Sequence, residues 1–182
     1  MVSKITPASI FQEISKMDDS VLPPVHLWDP PICENIDMRI DREGRWYFMN
    51  SPIGRERMVR LFSRVLRYDE DGHYYLVTPI EKIRLTVDDK PFLIIDYSIN
   101  FKNGKQIINF ITNTLDEFEL GLDHPLRVEV DDLSKEPSPY VLVRNNLEGL
   151  ISRNIFYKLV DIAEKSKGSL GVWSNNIFFT IG

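Results

Sequence analysis

The sequence predicts an α+β fold in two parts, each organised around an amphipathic helix set among short strands. Three observations carry this. Residues 53–62 and 151–160 align without a gap, with Ile53/Ile151, Arg55/Arg153 and Leu61/Leu159 at matching places. Short segments between residues 81 and 130 follow one another at the regular spacing of an antiparallel sheet or barrel. Turn signals at residues 41–44, 69–72, 88–91 and 102–105 separate the segments. The expected division is a helix and proline-rich arm over 1–33, a small α+β domain over 34–79, and a larger β domain closed by a helix over 80–182.

Taken in order, residues 6–17 read as a helix. Thr6 is placed to cap it, Pro7 occupies its first position, and Ile10, Phe11, Ile14 and Met17 share a face. Four prolines between 21 and 31 deny the next stretch a helix. Residues 36–40 alternate, with Ile36, Met38 and Ile40 on one side. Trp46 to Met49 is an aromatic strand, and Ser51 with Pro52 reads as the start of a helix that buries Met58, Leu61, Phe62 and Val65. Arg57, Arg60, Arg64 and Arg67 form a second stripe, expected to face solvent. Strands follow over 73–79, 81–87, 92–99, 106–112, 117–120 and 126–130, with a hairpin signal at Asn103-Gly104. A strand over 140–144 leads to a helix over 147–165, and residues 170–173 and 177–181 close the chain as a hairpin.

The chain has 182 residues, 43% hydrophobic and 27% charged, enough apolar content for a real core. Its net charge of −5 disfavours a general nucleic-acid binder, which would be basic. The single cysteine, Cys33, excludes an intramolecular disulfide and a Cys-rich zinc cluster. No apolar run approaches the length of a transmembrane helix, and no secretory signal opens the sequence, so a soluble cytoplasmic protein is expected.

The residue pattern names no catalytic group. His26, His73 and His124 are far apart and lack metal-ligand spacing, so no metal site is expected. No nucleophile elbow, phosphate-binding loop or dinucleotide turn is present, and no cofactor is predicted. The arginines are more informative. Arg55, echoed by Arg153, falls in the first turn of a helix, where free N–H groups and the dipole favour an anion. A guanidinium there adds bidentate recognition of phosphate or carboxylate. A salt bridge to Asp37 or Glu81 is the competing reading. Thr78-Pro79-Ile80-Glu81-Lys82 places a hydroxyl, a carboxylate and an ammonium around a fixed bend, which reads either as part of a site or as a domain crossover with an ion pair. Trp46, Tyr75 and Trp173 fit core packing or the stacking of a planar ligand.

Residues 36–40, 51–55, 60–62, 77–82, 124–128, 139–144 and 171–174, taken in order, resemble a proteobacterial family catalogued as domain of unknown function 1285. The resemblance runs from about Trp28 to Gly182. It implies a two-part fold with internal duplication, whose second part is pleckstrin-homology-like. It also implies a ligand site between the parts, suited to a nucleotide-like molecule, with a signalling role. The expected protein is therefore a binding or regulatory module for a small anionic ligand, more a binder than an enzyme. Arg39, Arg55, Thr78, Lys82, Arg127 and Arg153 are the expected ligand-binding residues. A hydrolase with a dispersed site and a protein-interaction domain are the alternatives, and homo-oligomerisation stays open.

Overall fold

The computed structural model describes residues 6–17 and 21–182. The fold is mixed α+β and divides into two compact units, residues 1–89 and 90–182. The division falls after Asp89 because residues 80–89, expected in the second part, supply a strand that pairs within the first.

Unit 1 opens with α1 (Pro7–Ile14), whose N-terminus carries a reciprocal cap between Thr6 and Ser9. Ile10 and Ile14 are fully buried. Six strands follow: β1 (Met38–Ile40), β2 (Trp46–Phe48), β3 (Ser51–Pro52), β4 (Leu66–Tyr68), β5 (Tyr74–Val77) and β6 (Lys82–Val87), with α2 (Glu56–Arg64) between β3 and β4. They form one sheet in the order β3-β2-β1-β6-β5-β4. Each neighbouring pair is antiparallel except β1 and β6, which run parallel. Trp46 and Phe62 meet in the core, with ring centroids 6.1 Å apart.

Ser51 and Pro52 do not begin a helix. Met49 and Asn50 both have positive φ, 47° and 64°, and so form a two-residue hairpin turn that pairs Ser51 with Phe48. Pro52 sits on an edge strand, where its missing N–H breaks no ladder. The helix starts later, with Arg55 as its N-cap.

Unit 2 contains β7 (Phe92–Lys102), β8 (Lys105–Thr112), β9 (Glu117–Glu119), β10 (Leu126–Val130), β11 (Pro137–Arg144), β12 (Leu147–Ile151), α3 (Arg153–Asp161), β13 (Glu164–Ser166), β14 (Ser169–Ser174) and β15 (Ile177–Thr180). The first six strands make a second sheet, ordered β10-β11-β12-β7-β8-β9, and the last three make a third. Asn103-Gly104 turns the β7–β8 hairpin with φ of 53° and 74°, as its sequence predicts.

Two expectations for this unit are corrected. The six-stranded sheet is open rather than a closed barrel, because β12 joins β7 in parallel and leaves β9 and β10 as edges. Residues 147–151 are strand, not helix. Gly149 lets that strand run tightly: a Cβ there would lie 3.1 Å from Val143 and 3.2 Å from Phe92.

The helix echo acquires a structural setting. Each helix joins two three-stranded meanders, β1-β2-β3 to β4-β5-β6 around α2, and β10-β11-β12 to β13-β14-β15 around α3. In unit 1 the first and last strands of the series, β1 and β6, pair and close the seam. In unit 2 the corresponding strands, β10 and β15, are both sheet edges and do not pair.

Candidate functional site

Most of the arginines and polar residues expected to bind ligand are engaged inside their own unit. Arg39 makes a bidentate pair with Asp88, at 2.9 and 2.5 Å. Thr78 is buried and closes its own turn, its hydroxyl oxygen accepting from the Glu81 N–H at 3.2 Å. Lys82 is buried, with Nζ 2.5 Å from Asp69 Oδ2 and 3.9 Å above the Tyr75 ring. Arg153 is exposed, with Glu136 at 3.6 Å. Arg55 is exposed at the N-cap of α2 and, among the described residues, makes no ion pair; Arg57 and Arg60 share that state. Arg55 belongs to unit 1 and Arg153 to unit 2.

The outward arginine stripe does not extend to Arg67. That side chain is mostly buried, gripping Asp69 with Nε and Nη2 at 2.6 and 3.0 Å. Its Nη1 donates to the carbonyls of Val25 and Trp28, at 2.8 and 2.6 Å, which fastens the proline-rich arm to β4. Burial raises the Asp69 carboxyl, but the hydrogen bonds from Arg67 and Lys82 outweigh it and hold the group below the ordinary aspartate range. Trp46 and Tyr75 are core residues, whereas Trp173 stays partly exposed, 5.1 Å from Phe178.

Little supports acid–base or metal chemistry in unit 1. Burial raises both the Cys33 thiol and the Glu81 carboxyl beside it, so the thiol stays protonated and is a poor nucleophile. Among the described residues no group of three His, Cys, Asp or Glu side chains is arranged to hold a metal ion.

The open seam of unit 2 is where a ligand has room. A groove of about 700 Å³ lies along β10 and β15, floored by Phe156 and Val160 of α3. That volume is within the range of small-molecule sites. Leu126, Phe156, Phe179 and Ile181 form its buried wall, and Val130 and Val160 its exposed lip. Gly171 helps to build the wall: a Cβ there would lie 2.4 Å from the Phe179 carbonyl oxygen and 2.5 Å from the Phe178 ring. Both phenylalanines line the groove.

Two basic residues, Arg127 and Lys135, are among those that line the same groove, and no Asp or Glu is. Arg127 is locked. Its Nε and Nη2 grip Glu148 at 2.7 and 2.8 Å, its Nη1 meets Glu129, and its guanidinium lies 4.8 Å from the Tyr140 ring centroid. Glu148 also receives Lys90 at 2.8 Å. The hydrogen bond from Arg127 leads the causes that push the Glu148 carboxyl down to about 2, against the opposing effect of burial. Lys135 has no ion pair among the described residues. The chain pattern singles out Arg127 but not Lys135, Phe156 or Phe178, since strands far apart in sequence bring them together.

Comparisons with known proteins agree with this architecture. Residues 23–90 match the N-terminal domain of DUF1285, described as a domain of unknown function, and residues 91–181 match its C-terminal domain, described as a protein of unknown function. The crystal structure of a DUF1285 family protein from Silicibacter pomeroyi DSS-3 is similar at 41% identity and a TM-score of 0.84, covering 94% of this chain and 93% of that one. A DUF1285 family protein from Shewanella baltica OS155 shares the fold at 24% identity and a TM-score of 0.56, covering 71% of this chain and 94% of that one. No curated protein matches. No helix among the described residues is long and apolar enough to cross a membrane. With both of its units matched in order, the chain belongs to the DUF1285 family.

Proposed function

We propose that this protein is a binding module that holds a small organic anion in the unit 2 groove, and that groove occupancy rather than turnover is its output, as in a regulatory or signalling role. The observation that carries the proposal is the seam. Where unit 1 closes β1 on β6, unit 2 leaves an apolar groove lined by Lys135 and Arg127 and by no Asp or Glu. The lining has one side-chain hydroxyl, Thr180, and no histidine, cysteine, aspartate or glutamate side chain, which favours binding over the hydrolase alternative. Nucleotide-like compounds, which pair a planar body with a phosphate, are the first class to test. The pleckstrin-homology-like reading of unit 2 draws on its open sheet and bordering helix, and carries no lipid specificity with it. A cytoplasmic site of action belongs to the same reading.

The test is thermal stabilisation of the full chain by a panel of nucleotides and organic acids. A ligand at a hundred times its dissociation constant stabilises a single site by about 2.7 kcal/mol. Val160→Trp, which fills the groove from its exposed lip, abolishes the effect on this reading. No stabilisation by any anion refutes it. A second reading places the anion on α2, because Arg55, Arg57 and Arg60 are exposed and unpaired among the described residues. Stabilisation lost in Arg55→Ala and kept in Val160→Trp would select that one.

A further inference from the structure

The groove's width, wall chemistry and charge narrow the ligand class, an inference that rests on the anion-binding reading above. We propose that the ligand is an amphipathic monocarboxylate with a flexible aliphatic tail, such as a medium-chain fatty acid. The tail lies along β10 and β15 over α3, and the carboxylate meets Lys135.

Three observations carry this. The wall is nearly all hydrocarbon: Leu126, Val128, Phe156, Val160, Phe179 and Ile181 outnumber the polar side chains Arg127, Lys135 and Thr180. A nucleobase needs several hydrogen-bonding partners aimed at its edges, whereas an alkyl chain needs none. The available charge is also small. Arg127 already satisfies two carboxylates, which leaves Lys135 as the cation without an ion pair among the described residues. One uncommitted positive charge matches one carboxylate, whereas a polyphosphate would have to displace Glu129. Finally, the seam is narrow where the two edges come nearest. Cα atoms of β10 and β15 come within 8 Å of each other. A peptide strand laddered to both edges needs two strand spacings, about 9.6 Å. An alkyl chain makes no ladder and needs no such spacing.

The experiment is calorimetric titration of the full chain with hexanoate, octanoate and decanoate below their micellar concentrations. Decanol, AMP and an extended apolar decapeptide are the comparison ligands. Each methylene buried tightens binding about fourfold, so affinity should rise about fifteenfold for every two carbons until the groove is full. Lys135→Ala should weaken decanoate about fivefold and leave decanol unchanged. Val160→Trp should remove binding. Val130→Asp, at an exposed position on the lip, should weaken it by charge repulsion without a change in melting temperature. AMP binding without decanoate binding overturns the fatty-acid inference and leaves the anion reading standing. Preference for the decapeptide does the same to the inference. Equal affinity for decanol and decanoate overturns the carboxylate's role. Decanoate binding untouched by both groove variants shows a non-specific surfactant effect and overturns the site. Failure of every ligand overturns both readings.

Discussion

Glu148→Gln tests whether the ion cluster behind the groove contributes through charge. Glu148 accepts both arms of Arg127 and also Lys90, and its carboxyl is held down to about 2. Set against an ordinary glutamate, that depression corresponds to roughly 3 kcal/mol if the group were fully shielded. Its side chain is 20% exposed, and both cations reach solvent at 22% and 42%, so screening removes part of the effect. An expected loss of about 1.5–2 kcal/mol at pH 7 remains, or about 4–6 °C in Tm for a chain of this size. The sign follows from linkage. The carboxyl is depressed in the folded state, so its contribution is full above the unfolded value near 4.3 and disappears as pH falls towards 2. Urea unfolding of wild type and E148Q at pH 7, 5, 4 and 3 reads this directly. The gap in stability should be constant from pH 7 to 5 and should narrow steadily below that. A gap that persists unchanged at pH 3 means the glutamine disturbs packing and not charge, and no gap at pH 7 refutes the argument outright.

Asp69→Ala should be harsher, about 3–5 kcal/mol by urea unfolding, because it leaves both Arg67 and Lys82 partly buried without their counter-ion. Arg67→Lys should cost less but free the arm, which limited proteolysis near residues 21–28 would register, since a lysine cannot hold Asp69 and the two arm carbonyls together. Gly171→Ala should lower Tm by several degrees, because its methyl would meet the Phe179 carbonyl oxygen at 2.4 Å and backbone cannot give way cheaply. Trp46→Phe should be nearly neutral by denaturant unfolding: the volume lost is offset by removing an indole N–H that has no hydrogen-bond partner among the described residues.

Much of the chain is legible because local chemistry and tertiary structure agree. Thr6 and Pro7 start α1, Asn103-Gly104 turns a hairpin, and Met58, Leu61 and Phe62 are buried as their spacing requires. Where reading and structure part, long-range pairing overrides a local signal. Ser51-Pro52 has the look of a helix start, but Met49 and Asn50 fold it back onto Phe48. Residues 147–151 extend a helical apolar pattern, but β7 and β11 recruit them into a sheet. Arg67 lies in phase with an exposed stripe, yet the helix ends at Arg64 and the strand that follows turns Arg67 inward. The groove is the extreme case. It exists because β10 and β15 fail to pair, and nothing in either strand alone records that.

An unpaired strand edge beside an apolar groove is ordinarily an invitation to aggregate. Here β10 carries Arg127 and Glu129 at alternate positions, with Lys135 following in the next loop. Charges on an edge strand discourage a second chain from adding to it, because they would have to be desolvated or matched on arrival. The same charges that tie β10 to Glu148 thus guard its free edge against the addition of another sheet.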